Sequence, residues 1–381
     1  MADYKIFSAD SHVSEPTDLW VERIDEKYRF RAPRLDVRER NGKMEDLWIY
    51  EGWPPHPVGV GLGAADRNGP GNSSFRAEGK GYGDALSGGW DPAARLEDQD
   101  VDGVEGEVLY TTLGFRLFWI ADEGLQRACF RVYNDWLAEF CSYAPNRLVG
   151  LALISLYDVD EAILELRRAA KQGHRGAMIF LSPPAGYPSY ATKAYDRFWA
   201  EAQELDMAMV LHENTGGAES RTSPSSYWDP DLTLGVTITR PHEVQRSLGG
   251  MILSGVFERF PHLRVVTAEN GTDWLPWFLG RLKRKPRTNS YTTTLSMTPL
   301  DYWYRNCYAT YINEQDAVEH RDIIGVDNLM FATDYPHSAS TWPKSEQIVA
   351  RDMENVSDAD RRKLIHDNTL KAFGIRAAVA V

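Results

Sequence analysis

Cysteine is scarce in this chain: Cys129, Cys141 and Cys307 are the only three in 381 residues, and none forms a C-x-x-C pair. That excludes a disulfide framework and a cysteine-built zinc site. Basic runs are lacking too. Forty-two Lys and Arg stand against 55 Asp and Glu, a net charge of −13, so neither nucleic acid nor an anionic membrane is an expected partner. There is no apolar run long enough to span a bilayer. The opening residues Met1-Ala2-Asp3-Tyr4-Lys5 do not read as a signal peptide, and the expectation is a cytoplasmic protein. What is present is an ordinary globular balance, 43% hydrophobic and 25% charged, at a length that suits one large α/β domain.

The opening run Lys5-Ile6-Phe7-Ser8-Ala9 reads as a strand, and from about Asp91 further short apolar runs alternate with amphipathic stretches. Strands are predicted at 105–110, 148–153, 175–180, 207–212, 263–268, 307–311 and 329–333, and helices at 122–142, 158–172, 190–204, 241–260, 272–283, 316–325 and 358–373. Strands separated by helix-length segments indicate βαβ units and a parallel sheet. With the opening run the strands number eight, which closes a (β/α)8 TIM barrel; an open doubly wound sheet would not bring the first and last strands together. Asp158 and Asp358 are the predicted N-caps of their helices. Val244, Leu248, Ile252 and Val256 recur at helical spacing, as residues packing a helix on the barrel would.

Residues 23–90 break the pattern, being polar and rich in Gly, Pro and Trp. The glycines from Gly59 to Gly83 show no phosphate-loop spacing, so they do not indicate a nucleotide. Inserted after the first strand of a single domain spanning 1–381, this segment is expected above the barrel mouth, as a substrate cover or a subunit contact. Homodimerisation through it is the expected assembly.

Three strands end in residues able to bind a metal: Asp10-Ser11-His12, His212 and Asp334. In a parallel barrel the C-terminal strand tips open towards the loops, and Asp-x-His places both side chains on one face of a strand. Asp10, His12, His212 and Asp334 therefore suggest a divalent ion held by mixed nitrogen and oxygen donors, with zinc, manganese and iron all suited. Each residue also has a plainer use. The histidines could be hydrogen-bonded core residues, Asp334 could cap a turn, and Asp10 could orient His12.

Assembled in this order, the motifs resemble the amidohydrolase superfamily, in the branch containing aminocarboxymuconate-semialdehyde decarboxylase and many metal-dependent hydrolases. The resemblance rests on Asp10-Ser11-His12-Val13-Ser14-Glu15-Pro16, Gly255-Val256-Phe257-Glu258-Arg259-Phe260-Pro261, Ala268-Glu269-Asn270-Gly271 and Thr333-Asp334-Tyr335-Pro336-His337. It implies a TIM barrel whose metal ligands lie at the ends of the first, fifth and eighth strands: Asp10 and His12, His212, and Asp334. The chain departs from relatives in two places. Asp10 stands where many carry His or Glu, and Glu269 stands where decarboxylases carry a histidine. The second departure weighs against decarboxylation.

The expected activity is therefore metal-dependent hydrolysis of an ester, thioester, lactone or amide of a small organic acid, with a metal-activated water as nucleophile. Asp334 is the expected proton acceptor, with Glu269 and His337 as further catalytic candidates. The alternatives are non-oxidative decarboxylation and, because the strand-six histidine is missing, a barrel that serves only for binding or assembly. Glu15 is expected to order the first loop by hydrogen bonding. His174, His262 and His366 are expected to be structural; His56 in the insertion could touch substrate. Trp20 and Trp342 are candidates for pocket lining, whereas Trp274 and Trp277 are expected to pack a helix.

Overall fold

A computed structural model describes residues 5–40, 42–58, 81–216, 239, 241–285 and 294–376. The first apolar run forms β1 (Ile6–His12), buried along its whole length. After it come β2 (Arg34–Arg40), β3 (Lys43–Ile49) and β4 (His56–Pro57), then the remaining core strands β5 (Val104–Tyr110), β6 (Leu148–Leu153), β7 (Gly176–Ile179), β8 (Ala208–His212), β9 (Val265–Ala268), β10 (Cys307–Tyr311) and β11 (Leu329–Phe331). Burial on both faces explains why the core strands are almost continuously apolar. Eight strands make one sheet in the order β1-β5-β6-β7-β8-β9-β10-β11, every ladder parallel. The expected (β/α)8 barrel is the fold of this chain.

The barrel closes between β11 and β1 through a polar seam. Ser11 Oγ lies 2.9 Å from Ser8 Oγ and 2.8 Å from Thr333 Oγ1, and the Thr333 N–H donates to Ser8 Oγ at 2.9 Å. Backbone bonds from Asp334 N to Asp10 O (3.0 Å) and from His12 N to Tyr335 O (2.6 Å) complete it. Ser8, Ser11 and Thr333 are fully buried, so each hydroxyl needs these partners. A register shift in β1 between Ser8 and Ser11 delivers Asp10 and His12 to the seam.

Helix boundaries follow capping chemistry. Asp158 accepts from Asp160 N and Glu161 N, as predicted, whereas Ser357 rather than Asp358 caps the helix near the C-terminus. The expected helix 241–260 divides into Pro241–Leu253 and Val256–Arg259, because Gly255 takes a left-handed conformation (φ 78°). Among the described residues four α-helices went unpredicted: Leu19–Arg23, Ser345–Asp352 and two with clear boundary residues. Pro92–Asp102 has an Asp91 N-cap, Pro at its start and left-handed Gly103 at its end; Pro299–Asn306 follows a Thr298–Asp301 capping box. Both carried readable start signals in the sequence. Val244, Leu248, Ile252 and Val256 are completely buried, as their spacing implied.

The described part of the insertion carries regular structure. Its β2, β3 and β4 form a three-stranded antiparallel sheet. Trp48 is buried against Trp20, their ring centroids 5.2 Å apart. The Trp53 indole N–H donates to Trp119 O at 3.1 Å, and the Tyr82 hydroxyl donates to the carbonyls of Ser14 and Glu15 at 3.0 and 2.9 Å. These bonds fasten the segment to loops following β1 and β5. The glycines from Gly59 to Gly79 and the side chain of His56 lie outside the described residues.

Candidate metal centre

β1 ends in Asp10 and His12, β8 ends in His212, and Glu269 and Asp334 follow β9 and the β11 segment, so the barrel gathers all five at one mouth. Glu269 (φ 53°) and Asp334 (φ 54°) both occupy the left-handed region. For residues other than glycine this conformation costs on the order of 1–3 kcal/mol and is retained where surrounding structure holds it. Among the described residues, two overlapping groups bring possible ligand atoms within 4.8 Å of one another: Asp10, His12, His212 and Glu269; and His12, Glu269, Asp334 and His337. Glu269 belongs to both. The four ligands expected from the sequence therefore do not form a closed set without it.

His12 shows why a cation suits this place. Its Nδ1 lies 2.8 Å from Thr111 O; a carbonyl only accepts, so Nδ1 carries a proton. Its Nε2 faces three carboxylate oxygens, Glu269 Oε1 at 3.0 Å, Asp334 Oδ1 at 3.2 Å and Asp10 Oδ1 at 3.3 Å. A neutral ring would point its lone pair at these negative atoms, so a proton or a metal ion must intervene. Burial disfavours the imidazolium, but Asp10, Asp334 and Glu269 together push the His12 pKa well above its usual value.

The carboxylates divide unequally. Burial pushes Asp10 up to about 6, against the opposing pull of His12. Burial also raises Glu269, but His212 and His12 outweigh it and hold that carboxyl well below its ordinary value. Among the described residues, both Asp10 oxygens are buried without a regular hydrogen bond, and the nearest polar hydrogen-bearing group is the His12 ring at 3.3 Å. Such atoms cost about 1–3 kcal/mol each when left unsatisfied. Carboxylate oxygens and imidazole nitrogens are donors suited to a first-row divalent ion, so the set fits a metal.

Around this core, the His212 Nδ1 accepts from Asn214 N at 3.1 Å, and His212 Nε2 stands 3.2 Å from Glu269 Oε2. His337 Nδ1 is 2.9 Å from Asp334 Oδ1, while its Nε2 is 2.9 Å from Thr112 Oγ1. Its ring stacks on His12, centroids 3.9 Å apart at 23°. Phe115, in the 3-10 turn Leu113–Trp119 after β5, lies 4.3 Å from the His212 ring. The sequence reading had not singled out Phe115, Thr111 or Thr112; each follows a strand tip, the one signal that pointed to them.

Other candidates fall away from the site. Trp20 donates to Cys129 O at 3.0 Å, and Trp342 donates to Asp98 O at 3.1 Å; both are buried packing residues, not pocket lining. Trp274 packs on Phe278 as expected, but Trp277 is 60% exposed. His174 is buried against Asn134 O, a structural role. Glu15 does not serve the first loop alone: its carboxylate accepts from Thr112, Leu113 and Gly114 N–H groups in the loop after β5.

The amidohydrolase family matches residues 84–375. A 2-amino-3-carboxymuconate-6-semialdehyde decarboxylase from Dictyostelium discoideum is 24% identical over 345 residues, covering 86% of this chain and 89% of the relative. A gamma-resorcylate decarboxylase from a Rhizobium species is 27% identical over 288 residues, covering 71% and 85%. Among solved structures, an amidohydrolase from Mycobacterium avium subsp. paratuberculosis superposes with a TM-score of 0.77 at 20% identity, covering 98% of this chain and all of that one, 100%. A Polaromonas dihydroxybenzoic acid decarboxylase with bound manganese and the inhibitor 2-nitroresorcinol gives a TM-score of 0.59 at 24% identity, covering 74% and 86%. These two likenesses are of fold.

The relatives named by sequence are decarboxylases, and this overturns the expectation of hydrolysis. The inference from Glu269 was misplaced for a physical reason. A carboxylate at that strand end meets both site histidines, so the absence of a histidine there does not dismantle the site. No helix among the described residues is long and apolar enough to cross a membrane. With the barrel, its polar mouth and the family match over residues 84–375 in agreement, this chain belongs to the amidohydrolase family.

Proposed function

We propose that this protein is a metal-dependent, non-oxidative decarboxylase acting on a small organic acid that carries an oxygen substituent near its carboxylate. The observation that carries the reading is the convergence of buried Asp10 with His12, His212 and Glu269, their possible ligand atoms within 4.8 Å of one another. Support for the reaction type comes from the decarboxylases among its relatives. Asp10, His12, His212 and Asp334 hold the divalent ion, with Glu269 as a further ligand. When bound, that ion supplies a positive anchor for the substrate's oxygens and draws charge from the bond that breaks.

The protein's own groups do the rest. Asp334 delivers a proton to the ring or chain carbon that bears the carboxylate; the carbon–carboxylate bond then breaks and carbon dioxide leaves. His337, with Nδ1 at 2.9 Å from Asp334 Oδ1, restores that proton. Phe115 supplies an apolar face beside the His212 ring. A cytoplasmic homodimer completes the proposal, with light scattering as the check on its mass.

The test is direct. Manganese-loaded protein incubated with hydroxylated benzoates in deuterated water should release carbon dioxide and place deuterium on the vacated carbon. A panel that includes unsaturated amino-carboxylates should be screened alongside. Stoichiometric metal content with no carbon dioxide from any of these acids would overturn the reading.

A further inference from the structure

We propose that Glu15 is a positioning residue that sets the orientation of both the His12 and His337 imidazoles through the dipeptide Thr111–Thr112. Glu15 is completely buried on the loop after β1, yet its carboxylate reaches the loop after β5. Oε1 accepts from Thr112 N at 3.1 Å, from Gly114 N at 3.2 Å and from the Thr111 hydroxyl; Oε2 accepts from Leu113 N at 2.8 Å. Successive N–H groups converging on one anion form a nest, and they determine the path of the backbone that carries them. The turn is tight: a Cβ at Gly114 would strike Thr111 Oγ1.

That backbone holds the two histidines. Thr111 presents its carbonyl to His12 Nδ1 at 2.8 Å, and Thr112 presents its hydroxyl to His337 Nε2 at 2.9 Å. The first contact places the His12 proton on Nδ1 and turns Nε2 to the carboxylates. The second steadies the ring that faces Asp334. Because the two rings stack at 3.9 Å, a shift of the dipeptide moves both together. Tyr82, in the insertion, donates to the carbonyls of Ser14 and Glu15 and fastens the same unit from above.

The inference leans on the metal reading only for its effect on metal affinity. Imidazole signatures in the metal-free protein therefore test it whether or not decarboxylation holds. Histidine side-chain nitrogen NMR should be recorded for the full chain and for Glu15→Gln, Thr112→Val and Thr112→Ser. In E15Q one acceptor oxygen becomes an amide that opposes a backbone N–H. The His12 and His337 tautomer signatures should both change, and manganese should bind about ten- to a hundredfold more weakly, the usual size for residues behind metal ligands. T112V should alter the His337 signature and T112S should restore it. A folded E15Q with both signatures and manganese affinity unchanged would overturn the proposal. So would an unchanged His337 signature in T112V, which decides the matter should E15Q fail to fold.

Discussion

The barrel axis and the packed join between the first two loops each bury a carboxylate from the same stretch of chain, and treat it in opposite ways. Glu15, in the join, accepts from three backbone N–H groups and a threonine hydroxyl. Asp10, on the axis, is equally buried, yet among the described residues it makes no regular hydrogen bond and only faces the His12 ring at 3.3 Å. A buried anion surrounded by donors is satisfied by the fold itself; a buried anion with few of them suits a cation. Asp102 stands between the two, accepting from Ser345 N at 2.8 Å and from the Ser345 hydroxyl.

The sharpest break of this comparison is Asp10→Asn. Removing the charge of this proposed ligand should cut the proposed decarboxylation by about a thousandfold or more, the scale expected when metal catalysis is lost. Thermal unfolding of the metal-free variant should at the same time stay within about 1–2 kcal/mol of metal-free wild type, because Asp10 makes only the 3.3 Å contact with His12 Nε2. A D10N protein that is clearly destabilised would place Asp10 with Glu15, as a structural anion.

Glu15→Ala should instead lower stability. Stripping the acceptor from four donors leaves buried N–H groups unpaired, a loss of about 3–5 kcal/mol measurable by denaturant unfolding. An unfolding midpoint within error of wild type would show that water or a rearranged loop replaces the carboxylate.

The smallest effect concerns pH. Burial pushes Asp102 up to about 7, against its hydrogen bonds from Ser345. An acid raised in the folded state favours folding while protonated, so its contribution is lost as pH rises from the unfolded value of 3.8 through about 7. Asp102→Asn should flatten the stability profile across that window by up to a few kcal/mol. Stability of wild type and D102N falling in parallel over this range would remove Asp102 as the source.

Much of the fold was legible because its signals are local. Apolar runs such as 148–153 and 307–311 coincide with β6 and β10 to the residue. A strand buried on both faces advertises itself without reference to neighbours. The site was legible as residue types at strand tips for Asp10, His12, His212 and Asp334, whereas Glu269 and His337 were legible only through the family resemblance. The insertion was not legible. Its antiparallel sheet pairs 34–40 with 43–49 across polar, charged strands, and such strands lack the alternation that marks a buried face.

The sequence by itself determined the order of the barrel strands and the donors placed at their ends, since periodicity and tip position are properties of neighbouring residues. Only the tertiary structure decided which donors meet. Glu269 reaches His12 across 257 positions and Thr333 reaches Ser8 across 325, and nothing local encodes either contact. Closure of the barrel brings those atoms together, and it also decides that Asp10 faces only the His12 ring while Glu15 is surrounded by donors.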